Sequence, residues 1–211
     1  MNILIGNQKG GAGKSTLTML LANYLSFEKA REVLVLDLDF QASISVKAEK
    51  SKLLENEAPY EVLAKNLGDF PAFYGKLKRY PDSLVLIDLP GKMDDDALVP
   101  IILSGDIIIC PFNYDEFSVD SSLIFAMVCS KINNNAKMIF IPSRIKTTVR
   151  YETRVDVDQA LSKLGEVYPP IPDRIDFQRV TTMGTPAGIA SIIKPVMDKL
   201  YHEHLKARKD E

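Results

Sequence analysis

The chain has 211 residues, a net charge of −2, and 46% hydrophobic against 26% charged residues. That length suits one domain with a sizeable core, and the composition excludes a disordered or fibrous chain. No apolar run approaches the ~20 residues that a membrane-spanning helix needs. The first apolar run leads straight into a glycine-rich loop and not into a cleavable leader, so the expectation is a single cytoplasmic domain over residues 1–211.

In chain order, "NILIG" at 2–6 reads as a strand, and 14–27 has helical spacing through Leu17, Leu20, Leu21, Tyr24 and Leu25. "EVLVLDLD" is a second strand. Residues 45–80 read as helical, with Tyr60, Val62, Leu63 and Leu67, then Phe70, Phe73 and Leu77, as buried faces. Further strands are predicted at 83–89, 105–112 and 137–143, with a helix around 118–131 between the last two. "GEVYPPIPDRIDF" holds a short last strand, and a terminal helix runs from about Ser191 to Lys206, broken or started by Pro195. This alternation predicts an α/β fold: a doubly wound, mostly parallel sheet with helices on both faces.

Cys110 sits in an apolar strand and Cys129 in a helical stretch; neither has metal or disulfide spacing, so both read as small core residues. His202 and His204, two apart on a helix, read as solvated surface. Charge is uneven. Residues 1–130 carry 12 Lys/Arg against 18 Asp/Glu, whereas 131–211 carry 14 against 10, so the later part of the chain is the basic one.

The stretch "GNQKGGAGKSTL" at 6–17 is a phosphate loop with one departure: Gln8 stands where the pattern Gly-x4-Gly-Lys-Ser/Thr expects glycine, and Lys9 adds a second lysine. Such a loop aims backbone N–H groups and a helix N-terminus at an anion, and Gly10, Gly11 and Gly13, with Ala12 between them, let the backbone approach. Lys14 is placed to reach the β and γ phosphates, the Ser15 hydroxyl to ligate Mg²⁺, and Thr16 to reach the α phosphate. The expected ligands are therefore a nucleotide and Mg²⁺.

Two acids extend the site. Asp88 ends the strand "LVLID", where a carboxylate commonly holds Mg²⁺, and Gly91 offers a backbone N–H to the γ phosphate. Asp94, Asp95 and Asp96 read as the start of the next helix. Asp37 and Asp39 are two apart and read as sharing one strand face; Asp39, nearer the carboxyl end, is the candidate to orient the attacking water and, with Ser15 and Asp88, a candidate metal residue.

These segments resemble the ParA/MinD group of P-loop ATPases, most of all the small ParA-type partition proteins. "NQKGGAGKST" is similar to that family's deviant phosphate loop, "VLVLDLDFQAS" to its second acidic motif, "LVLIDLPG" to its metal-binding strand and switch, and "SGDIIICPFNYDEFSVDS" to its fourth-strand segment. The resemblance covers nearly the whole chain and implies a three-layer P-loop fold, with ATP as the nucleotide. It implies that Lys9 reaches across an ATP-dependent homodimer to the partner's phosphates, so that Lys9, Lys14 and Asp39 act in catalysis. It also implies slow hydrolysis stimulated by a ParB-like, centromere-binding adaptor, and an ATP-state dimer that binds double-stranded DNA without sequence preference on the nucleoid.

Two positions depart from the pattern: Phe40 stands where relatives usually have proline, and Ser143, before Arg144, where they have a base-contacting asparagine. Pro172 and Arg174 fall in the segment that frames the base in relatives. The pool for a DNA face is Arg144, Lys146, Arg150, Arg154, Arg174, Arg179, Lys194 and Lys199. Rival readings are a MinD-like protein cycling on membranes, which the polar tail "YHEHLKARKDE" disfavours, and an ATP-dependent ligase on the same fold. A reductase with an interface iron–sulfur cluster is disfavoured by the placement of the two cysteines.

Overall fold

A computed structural model describes residues 1–52, 58–77 and 83–206. The expected helix over 45–80 and the polar tail therefore lie partly outside the described residues. Seven strands pair in parallel: β1 (Asn2–Ile5), β2 (Val33–Asp37), β3 (Glu61–Ala64), β4 (Leu84–Asp88), β5 (Ile107–Phe112), β6 (Lys137–Pro142) and β7 (Glu166–Val167). Their order in the sheet is β3-β2-β4-β1-β5-β6-β7. β1 thus lies centrally, and the loop after it opens where strands on its two sides diverge in connection, the usual place for a ligand in such sheets.

The period of two along each strand divides the core. Ile3, Ile5, Val35, Leu86, Ile109 and Ile139 face one side, where α1 (Lys14–Asn23), α2 (Ser43–Lys52) and α7 (Ala187–Leu200) supply Leu17, Leu20, Ile44, Ile193 and Met197. Leu4, Leu36, Val85, Ile87, Ile108 and Phe140 face the other, against Phe70 of α3 (Phe70–Leu77), Ile101 of α4 (Leu98–Leu103), Phe125 of α5 (Glu116–Ile132) and Leu161 of α6 (Arg154–Ser162). Three layers result, as expected for a doubly wound fold. Gly6 is required by this packing, because a Cβ there would lie 2.5 Å from the Phe125 ring.

Four details differ from the sequence reading. β3 lies where helix was expected, since Val62 packs on one side of the sheet and Leu63 on the other, a strand period compressed into four half-exposed edge residues. β2 ends at Asp37, two residues earlier than expected. The terminal helix starts at Ala187 and passes through Pro195, which lies on its exposed side. The last turn, Tyr201–Leu205, is π-helical, and this wider turn brings His204 inward against Tyr168 while His202 stays exposed. His204 is accordingly a half-buried packing residue, its Nε2 3.5 Å from a Glu166 carboxylate already paired with Lys199 and Lys137. Cys110 and Cys129 are fully buried free thiols, and burial pushes both up to about 12.

Candidate functional site

The loop from Gly6 to Gly13 connects β1 to α1 and bends through positive φ at Gly11 (75°) and Gly13 (90°), which only glycine adopts without strain. It rims a cavity of about 940 Å³ at the carboxyl ends of the strands. Gly10, Gly11, Gly13, Lys14, Ser15, Thr16, Asp39, Gly91, Ser143, Arg144 and Arg174 all line it, so most of the residues expected at the site converge. Lys9, Ala12 and Pro172 do not line it.

Asp88, at the end of β4, is wholly buried beneath the loop and accepts hydrogen bonds from the Ser15 hydroxyl at 2.6 Å and the Thr18 hydroxyl at 3.3 Å. Burial pushes its carboxyl up to about 7; Asp37 and Asp39 push the same way, against the Ser15 hydrogen bond and the Lys14 ammonium. Lys14 Nζ lies 4.0 Å from Asp39 Oδ2, and a Cβ built on Gly91 would fall 3.6 Å from the same ammonium. The loop, the turn after β2 and the segment after β4 therefore meet at Lys14.

Asp37 and Asp39 do not share a face. The strand ends at Asp37, whose Oδ2 accepts the Ile44 and Ser45 amides at the start of α2, while Asp39 lies past the strand in a turn, its Oδ1 accepting the Gln41 amide. Asp37 nevertheless stands opposite Asp88 across the β2/β4 pair, and its buried Oδ1 has no hydrogen-bond partner among the described residues. A hydroxyl, a buried carboxylate and a partnerless carboxylate oxygen form a set of hard oxygen donors that fits Mg²⁺. Ser15 and Asp88 would hold it, with Asp39 and Asp37 beside them.

At the far end of the cavity, β6 delivers Ser143 and Arg144. Ser143 is buried, its amide donating to Phe112 O at 2.6 Å and its hydroxyl to Ile141 O at 3.3 Å. Arg144 adopts a left-handed φ of 59°, which turns its guanidinium onto the Gly11 carbonyl at 3.0 Å and towards Asp173 at 3.7 Å. An isolated bridge between Ile145 and Pro172 fixes the facing segment, so Pro172 serves as its backbone anchor while Ile171 and Asp173 face the cavity. Ile175, Phe177 and Gln178 complete that wall, with Lys47 of α2, whose ammonium donates to Val180 O at 2.7 Å. Burial holds the Lys47 ammonium below its ordinary range. These residues carried no local motif; only the fold brings them to the loop.

Lys9 is directed elsewhere. Its Nζ pairs with Asp115 Oδ1 at 2.5 Å, at the N-terminus of α5, and its amide donates to Asn7 Oδ1. Asn7 is in turn buried and held by Pro111 O and the Ser122 hydroxyl.

The same combination of loop, acidic strand ends and sheet marks a known family, since a model of the CobQ/CobB/MinD/ParA nucleotide-binding domain matches residues 3–186. The chain belongs to that family. Among solved structures, it is similar to a plasmid partition protein of Borrelia burgdorferi bound to AMPPNP, with 22% identity and a TM-score of 0.75 over 96% of this chain and 98% of that one. It is also similar to the cell division ATPase MinD of Pyrococcus furiosus, with 18% identity and a TM-score of 0.74 over 95% and 98% of the two chains. A Cyanothece McdA–ATP complex gives 14% identity and a TM-score of 0.70 over 94% and 95%. At these identities the structures establish a shared fold and nothing finer. No curated protein matches the sequence. The chain thus carries the nucleotide-binding domain of the CobQ/CobB/MinD/ParA family, with the mostly buried Lys14, Ser15 and Asp88 at its phosphate loop.

Proposed function

We propose that this ParA/MinD-family ATPase is a ParA-type partition protein: an ATP-dependent sandwich dimer that binds DNA without sequence preference and is reset by slow, adaptor-stimulated hydrolysis. The observation that carries this reading is the direction of Lys9. A lysine inside a phosphate loop that stays out of its own cavity, and rests at the exposed rim, is suited to a phosphate on a second subunit.

Within each subunit, loop amides and Lys14 would neutralise the triphosphate, and Asp39 would orient the attacking water and accept its proton. Mg²⁺ held by Ser15 and Asp88 would supply charge neutralisation between the β and γ phosphates. Arg174, Phe177 and Gln178 would frame the base. Hydrolysis would remove the charge that Lys9 contacts and release the dimer.

Ion pairing narrows the DNA face. Arg144, Arg154, Arg179, Lys194 and Lys199 each pair with an acid of this chain. Lys146, Arg150 and Arg174 have no such pair among the described residues, and the Ile145–Pro172 bridge brings the segments of Lys146 and Arg174 side by side. A MinD-like membrane role has less support: Val196, Met197, Leu200, Tyr201 and Leu205 already bury the apolar side of the terminal helix in the core.

The test is binding to random-sequence duplex DNA with ATP, ADP or no nucleotide, over a salt series. Binding confined to the ATP form is expected. Its salt slope should fall by ~0.9 for every DNA phosphate that Lys146→Ala or Arg150→Ala leaves without a cation, counted twice in a dimer. Equal binding in all nucleotide states, or a slope insensitive to both substitutions, would count against the reading.

A further inference from the structure

We infer that Asp115 is a positioning residue that restrains Lys9 in the free subunit and so opposes dimer formation. This rests on the sandwich reading above and adds a control to it. Three observations carry it: Lys9 Nζ lies 2.5 Å from Asp115 Oδ1, the same oxygen caps α5 by accepting the Ser118 amide at 3.0 Å, and Lys9 has no place in the lining of its own phosphate cavity. The cap holds Asp115 in one orientation, so the ammonium is tied to a rigid helix end on the β5 side of the loop.

The charge balance sets the sign of the effect. To meet a partner's triphosphate, Lys9 must leave Asp115, and the carboxylate left behind is a like charge at the rim the partner's phosphates would approach. Both terms oppose the dimer. The pair is partly exposed, with 33% and 44% of the two side chains accessible, so each break is modest, but a two-fold interface breaks the pair twice.

Asp115→Asn removes the charge and keeps a side-chain oxygen for the cap. With Mg²⁺ and AMPPNP, its dimer dissociation constant, measured by sedimentation, is expected to fall about 2- to 30-fold, two exposed ion pairs' worth. The gap to wild type should close as salt rises, which a change in capping alone would not produce. Asp115→Ser, another capping residue without charge, should tighten the dimer in the same way, and Asp115→Glu should return it towards wild type. If wild type forms no AMPPNP dimer, the sandwich reading falls and this inference with it. If wild type dimerises but Asp115→Asn and Asp115→Ser leave the constant unchanged or weaken it, the sandwich survives and the restraint is refuted.

Discussion

Lys14→Ala is expected to weaken ATP binding about 10- to 150-fold and to lower turnover at saturating ATP by a further ~100-fold or more. The first figure is the ~1.5–3 kcal/mol of a hydrogen bond to a charged group; the second is the usual loss when a preorganised donor is removed from a transition-state oxyanion. The geometry makes the effect severe, because Lys14 is the only loop cation lining the cavity, whereas Asp39 stands 4.0 Å away and Asp88 lies buried below. Without the ammonium, a polyphosphate would face these carboxylates with no cation at the loop itself, since Lys47, Arg144 and Arg174 line other parts of the cavity. Titration calorimetry with AMPPNP and a phosphate-release assay measure the two losses separately. Retention of either wild-type binding or wild-type turnover would remove Lys14 from the site's chemistry.

Asp39→Ala is expected to divide the same two quantities differently. Its carboxylate sits in a turn past β2, anchored by the Gln41 amide and turned towards Lys14, where it can reach a water but serves no structural cap. Turnover should drop about 100- to 10,000-fold, the range for a lost general base, while ATP affinity holds or rises because one negative charge has left the phosphate region. Asp37→Ala should behave otherwise, since that carboxylate holds the start of α2 through two amides and its loss registers as reduced thermal stability. If turnover survives Asp39→Ala and vanishes in a stably folded Asp37→Ala, the two acids exchange roles.

The contrast between Asp37 and Asp39 illustrates what could be read before the fold was seen. Strands β1, β4, β5 and β6 are apolar runs buried on both sides, polar only at Asn2, Asp88 and Lys137 at their ends, and such runs are legible without context. The phosphate loop was equally legible, because its glycines and Lys14-Ser15 are contiguous and their chemistry is local. Strand ends were not: alternation predicts one face for Asp37 and Asp39, but the chain leaves the sheet between them. The edge strand β3 was missed for a related reason, since four residues with only Val62 and Leu63 inward give too few turns of either period to choose between helix and strand. Asp115 and the wall of Ile175, Phe177 and Gln178 lie over a hundred residues from the loop they approach, and the sheet order alone brings them there. His204 depended on a π-helical turn that side-chain spacing does not announce.

If the second lysine of the loop acts on a partner's nucleotide, the molar mass of the protein must depend on both, as sedimentation equilibrium in Mg²⁺–AMPPNP and in Mg²⁺–ADP would read for wild type and Lys9→Ala. Wild type is expected at twice the monomer mass with AMPPNP and at the monomer mass with ADP. Lys9→Ala should stay monomeric in both while still binding AMPPNP in its own cavity. A Lys9→Ala protein that dimerises as wild type does, or a wild type that stays monomeric with AMPPNP bound, would contradict the account.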